Sequence, residues 1–135
     1  MNWRTGQLIV SEGTGRNSTL FLAHLDDLRR HYRSYRTIHV ICDNATFHNP
    51  ERCRAIRAYM ELWGDRIELH FLPKRSPQTN PIERVWWHLH EEITRNHRCR
   101  SIRQLVDLVL QWIEDRGPFE FEGHIYKDLR VALDQ

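Results

Sequence analysis

Lysine is nearly missing from this chain. Of its twenty Lys and Arg residues only Lys74 and Lys127 are lysine, so positive charge is carried by guanidinium groups. These suit planar, bidentate contact with phosphate and carboxylate, although a bias in the coding DNA would leave the same composition. The formal net charge is only +2, too small to announce a polyanionic partner by itself. Cysteine is also scarce. Cys42, Cys53 and Cys99 are odd in number and widely spaced, with no signal-peptide pattern ahead of them. That argues for a reducing, cytoplasmic setting without structural disulfides. No apolar run approaches the roughly 18 residues of a membrane span, and no repeat or low-complexity tract occurs. What is present is a 135-residue chain, 40% hydrophobic and with five tryptophans, enough for a core.

Taken in order, Thr5-Gly6 reads as a tight turn leading into a short β-branched strand over residues 7–12. Asn17 or Ser18 is placed to cap a helix whose apolar face is Leu20, Phe21, Leu25, Leu28 and Tyr32. Asp26 and Asp27 on that helix suggest a carboxylate pair, but successive helical residues diverge by about 100°, so a solvated face is expected. Residues 37–42 form a nearly continuous apolar run of strand length, as in a central strand covered on both sides. It ends at Asp43-Asn44, followed by His48. Open α/β sheets place chemistry at the C-terminal ends of such strands. The plain alternative is a turn made by Asp43 and Asn44.

Asn49-Pro50 marks the start of another helix, with Cys53, Ile56, Met60 and Trp63 inward and Gly64 closing it. Residues 67–72 alternate as a strand. A proline-bounded basic loop with Lys74 and Arg75 follows, leading to Asn80 as N-cap, Pro81 at the first helical position, and Glu83 in the first turn. That helix runs to about residue 96 with Ile82, Val85, Trp86, Leu89 and Ile93 inward. Ser101 and Gln104 form a capping box for a last helix with Ile102, Leu105, Val106, Val109 and Ile113 as its stripe. Gly117-Pro118 ends it, and a short helix is expected within residues 125–133. The order is β-α-β-α-β-α-α, an α/β sheet flanked by helices. His88, His90, His97 and Cys99 do not make a convincing zinc site. His88 and His90 are two apart on a helix and do not share a face, and no CxxC accompanies them.

Two segments carry a resemblance: a strand ending in Asp43-Asn44-x-x-x-His48, and Leu72-Pro73 leading to Ser76-Pro77-x-x-Asn80-Pro81-Ile82-Glu83. Together with Trp3-Arg4-Thr5-Gly6 and Asn17-Ser18, they resemble the catalytic half of DDE/D transposases of bacterial insertion sequences in the Tc/mariner superfamily. The likeness extends to about Ile113. It implies a ribonuclease H-like mixed sheet flanked by helices, over residues 1–116 as a partial catalytic domain, with 117–135 as a C-terminal tail. It implies DNA strand cleavage and transfer at mobile-element ends, on double-stranded DNA of element ends and target, in the cytoplasm at the nucleoid.

Such chemistry needs a nucleophilic oxygen activated and a leaving oxygen stabilised, which paired hard cations accomplish. The resemblance therefore assigns Asp43 and Glu83 as catalytic, metal-holding carboxylates for Mg²⁺ or Mn²⁺, which prefer carboxylate and water oxygens. Without it, Glu83 reads as the second half of a capping box with Asn80. Lys74, Arg75, Arg84, Arg95, Arg98 and Arg100 become the DNA-binding set. Asn44 and Asn80 shape the backbone, while His48 either orients substrate or terminates its loop.

The chain departs from the family pattern in three places. The family's first aspartate, on the strand that opens the domain, has no counterpart here. The N-terminal helix-turn-helix region is absent, and Arg75 stands where an aromatic is common. The expected consequences are a fold lacking its first strand, with unpaired N–H and C=O groups on the strand that begins at Thr37, and weak activity alone. An upstream transposase polypeptide or a second copy would then complete it. The rival reading is a non-catalytic, DNA-binding transposase remnant. A small α/β hydrolase with Asp43 as nucleophile is a third, unsupported by any Gly-rich phosphate loop.

Overall fold

A computed structural model of the chain describes residues 1–43, 45, 48–73 and 80–119. It divides into two compact units, Ile9–Asn80 and Met1–Leu8 with Pro81–Gln135. The expected helix within residues 125–133 lies outside the described residues.

The first unit is built on helix α1 (Ser18–His31), strand β1 (Ile38–Cys42), helix α2 (Arg54–Trp63) and strand β2 (Ile67–Phe71). Asn17 caps α1, its Oδ1 accepting the Leu20 N–H at 2.9 Å. The strands pair in parallel with Ile38 opposite Ile67 and Cys42 opposite Phe71. A strand's side chains alternate between faces, so Ile38, Val40, Cys42, Ile67, Leu69 and Phe71 share one face. Cys42 and Ile67 on that face are buried, as are Leu25 of α1 and Ile56 of α2.

The opposite face carries His39, Ile41, Glu68 and His70. Here the structure corrects the expectation of a strand covered on both sides, because His39 and Glu68 are exposed. Polar residues at alternate positions leave that face to solvent. Among the described residues β1 pairs with β2 alone.

Three further expectations are revised in this unit. Residues 7–12 form no strand, since no ladder partner lies alongside among the described residues. Helix α2 begins at Arg54 rather than beside Pro50, with Cys53 as its N-cap instead of a core residue. Asn49 is occupied in a local turn, its Oδ1 accepting the Glu51 N–H at 2.8 Å and its carbonyl the N–H groups of Arg52 and Cys53. Finally, Asp26 and Asp27 are half-buried and not a solvated face. Asp26 pairs with Arg29 at 2.9 Å and Arg30 at 2.8 Å. The Ser11 hydroxyl donates to Asp27 at 2.7 Å and lies 2.8 Å from His24 Nδ1.

In the second unit, α3 (Ile82–Leu89) continues into a π-helical turn (His90–Thr94), and α4 spans Ile102–Arg116. Val85, Leu89, Trp112 and Ile113 form its core, with Met1, Leu8, Ile82, Ile93, Val109 and Phe119 packed around them. Trp86 and Ile102, both expected inward, are 41% and 78% exposed, because the buried stripes run through Val85–Leu89 and Trp112–Ile113 instead. Ser101 Oγ accepts the Gln104 N–H at 3.2 Å, and Gln104 Oε1 accepts the Arg100 N–H at 2.8 Å. Glu92 accepts from the Trp112 indole N–H at 3.0 Å and also pairs with Arg116. Gly6 is required where it stands. Its φ is +74°, its carbonyl accepts the Phe119 N–H at 2.9 Å, and a Cβ would collide with the Phe119 backbone.

Two outcomes follow from this packing. Ile56→Ala leaves a cavity at a fully buried position and costs about 2–5 kcal/mol, whereas Ile102→Ala changes stability by no more than about 0.5 kcal/mol; urea unfolding measures both. For the acid limb, the Arg29 hydrogen bond, reinforced by Arg30, holds the Asp26 carboxyl below its ordinary 3.8. The unfolded chain therefore binds the proton first. Asp26's contribution is complete above that ordinary value and is lost as pH falls through the folded one. Between about pH 5 and pH 2, the urea midpoint of Asp26→Asn falls less steeply than that of the native chain.

Candidate functional site

The apolar run of β1 determines where its polar end emerges. The Leu72 N–H donates to the Cys42 carbonyl at 2.9 Å, the last rung of the parallel ladder. The next residue, Asp43, leaves the sheet with its side chain 65% exposed. His48, only 17% exposed, sets Nδ1 at 2.7 Å from Asp43 Oδ1, a contact that is an ion pair when the imidazole carries a proton. Behind it the Phe21 ring of α1 lies 4.1 Å from the imidazole, centroid to centroid. Thus α1 positions His48, and His48 contacts the carboxylate. Asn44 lies outside the described residues, so Asp43 and His48 are what the structure brings together here.

Glu83 stands exposed in the first turn of α3, in the other unit. Pro81, with φ −56° and ψ −29°, already has helical backbone geometry at the entry to α3 and supplies no side-chain cap itself. Arg84 is exposed beside Glu83, and Trp87 one turn further is 60% exposed. Lys74 and Arg75 lie outside the described residues.

The remaining expected DNA-binding residues divide. Arg95 Nη1 donates to both Glu91 oxygens, at 2.9 and 3.0 Å. Arg98 and Arg100 are exposed between the π-helical turn and α4.

A group that sequence reasoning passed over lies elsewhere. His39, Glu68 and His70 converge on the outward face of the β1–β2 ladder, with one ligand atom from each within 4.8 Å of the others. The signal was available. Three metal-competent side chains stand at outward positions of two strands otherwise apolar on their inward face, and a parallel register brings them together. Among the described residues this is the one such group, and it involves none of His88, His90, His97 or Cys99. His90 Nδ1 lies 3.0 Å from Thr94 Oγ1, and His97 Nδ1 accepts the Cys99 N–H at 3.3 Å.

The profile of the DDE superfamily endonucleases matches residues 1–106. This chain belongs to that superfamily. It is also 34% identical over 120 residues to a Shigella sonnei protein described as "Insertion element IS630 uncharacterized 39 kDa protein". That match takes in 89% of this chain and 34% of the relative, so the chain spans about a third of the relative's length. No solved structure matches it. DDE endonucleases generally work with a divalent metal. Asp43 and Glu83 each offer exposed carboxylate oxygens, the ligand type that hard cations prefer.

The thiol next to the carboxylate is chemically quiet. Burial, together with the Asp43 charge, pushes Cys42 up to about 12. Cys53 is shifted the other way, chiefly by the Ile56 N–H at the start of α2, with Ser18 and Arg57 assisting. Thiolate is the reacting form, so iodoacetamide at neutral pH modifies Cys53 first. Cys42 reacts only on unfolding, as peptide mass mapping over a time course will show.

Proposed function

We propose that this chain is the catalytic portion of an insertion-sequence transposase, acting on double-stranded DNA at element ends and target. Asp43 and Glu83 serve as its metal-holding carboxylates. The observation that carries this reading is Asp43 itself: an exposed carboxylate at the C-terminal end of a parallel strand, inside a segment matching the DDE endonucleases. The alternation of helices and strands supports reading residues 1–116 as part of a ribonuclease H-like domain, with 117–135 as a tail. DNA as the substrate places its work in the cytoplasm, at the nucleoid.

Each residue has a stated task in this reading. His48, backed by Phe21, restricts the Asp43 carboxylate to few orientations, which lowers the entropy lost when it takes up a ligand. Asp43 and Glu83 would hold Mg²⁺ or Mn²⁺. When bound, such an ion supplies Lewis-acid stabilisation of phosphoryl oxygens and a more acidic water. Arg84, next to Glu83, is placed to meet phosphate in bidentate fashion. Lys74, Arg75, Arg98 and Arg100 extend the contact along the backbone, and Asn44 and Asn80 shape the loops that present the carboxylates. Arg95 contributes less, because Glu91 already neutralises it.

A second reading, DNA binding without cleavage, is favoured by the display of Arg98 and Arg100 on the surface. One experiment separates the two. Cleavage of duplex DNA carrying insertion-element ends is assayed with Mg²⁺ or Mn²⁺. The chain is used alone and mixed with the parts of the Shigella sonnei relative outside the match. Asp43→Ala and Glu83→Ala each lower cleavage about a hundredfold or more, as loss of several kcal/mol of transition-state stabilisation implies. Variants that cut as well as the native chain overturn the assignment. Salt-dependent binding that survives Asp43→Ala but weakens in an Arg98→Ala, Arg100→Ala double variant, with no cleavage in any mixture, establishes the second reading.

A further inference from the structure

The outward face of the β1–β2 ladder holds a donor set unlike that of Asp43 and Glu83. His39 Nδ1 and His70 Nε2 lie 3.0 Å apart. Glu68 Oε2 is 3.6 Å from His39 Nδ1, and its other oxygen is 3.8 Å from His70 Nε2. A tetrahedral zinc with ligands at about 2.0–2.1 Å keeps its donors about 3.4 Å apart. The three side chains are therefore spaced as ligands before any ion is considered.

We propose that His39, Glu68 and His70 form a transition-metal site, with Zn²⁺ as the fitting ion and the remaining position open to water. Two imidazoles and one carboxylate are the donor set of open zinc sites, whereas Mg²⁺ selects oxygen alone. The 3.0 Å separation of the two ring nitrogens is that of a hydrogen bond between imidazoles, which a bound ion would replace.

The fold supplies the preorganisation. Parallel pairing sets His39 opposite Glu68, and Ile41 opposite His70. All three side chains thus rise from one face of a backbone already held by ladder hydrogen bonds. Their imidazoles are tilted by 36°, with centroids 5.2 Å apart. Side-chain exposures of 50%, 57% and 40% leave the site reachable from solvent.

The site is separate from the carboxylate at the strand end. His39 precedes Asp43 by four residues, about 13 Å along an extended strand. Its ion would tie β1 to β2 and so stiffen the strand that presents Asp43. It does not depend on the transposase reading, and the failure of either leaves the other standing.

Titration of the chain with Co²⁺ tests it. Expected are one tetrahedral Co²⁺ per chain, seen as intense visible d–d absorption, and its displacement by one equivalent of Zn²⁺. His39→Ala and His70→Ala abolish the absorption, and Glu68→Gln weakens affinity by about tenfold or more. His88→Ala leaves it unchanged. In parallel, Zn²⁺ raises the urea midpoint of the native chain but not that of His70→Ala. Far-UV circular dichroism of each variant, unchanged from native, assigns any loss to the ligands. The proposal is overturned if no stoichiometric binding occurs, or if binding persists in the His39→Ala, His70→Ala double variant. Either outcome leaves a hydrogen-bonded imidazole pair with a carboxylate nearby, and no metal site.

Discussion

The parallel ladder between β1 and β2 is the constraint on which the rest of the described site depends. Its five paired positions place Cys42 and Ile67 on the buried face and His39, Glu68 and His70 on the other. Shifting the register of one strand by a residue would reverse its faces, burying polar groups without partners and exposing the apolar ones. The same ladder decides where Asp43 emerges, since the last rung is made by the residue before it. One pairing register thus sets both the carboxylate at the strand end and the imidazole cluster on the sheet.

Charge in this chain divides between internal use and display. The arginine-rich composition could not tell these apart. Arg29 and Arg30 are held by Asp26, and Arg29 also lies 4.0 Å over the Trp63 ring. Arg66 donates to the carbonyls of Arg33 and Tyr35 at 3.0 and 3.1 Å. Arg95, Arg103 and Arg116 pair with Glu91, Asp107 and Glu92. Part of the guanidinium content therefore fastens the fold, while others, Arg84, Arg98 and Arg100 among them, are exposed. Exposed pairs of this kind each contribute little to stability; their effect is to reduce the cationic surface available to a polyanion.

Legibility followed the range of the interactions involved. Asn17 and Ser101 were readable as caps because a cap is settled by residues three positions away, and both make the expected bonds. The α2 start was misread because Asn49-Pro50 satisfied its own local turn, and nothing nearby said that the helix waits until Cys53. Asp43 was readable as a strand-end carboxylate, and membership of the DDE endonucleases was readable from motif order. The contact of His48 with Asp43, and its support by Phe21, were not. They join a helix, a strand end and a loop brought together only by packing.

By itself the sequence determined β1, β2 and the helices around them in order, the caps at Asn17 and Ser101, and the superfamily. All of these rest on periodicity or on spacing within a few residues. Tertiary structure alone decided which face of β1 meets solvent, that Arg66 reaches the carbonyls of Arg33 and Tyr35, and that His39 faces His70. Those outcomes depend on pairing between segments some thirty residues apart, and no local pattern encodes a register until the second strand is in place.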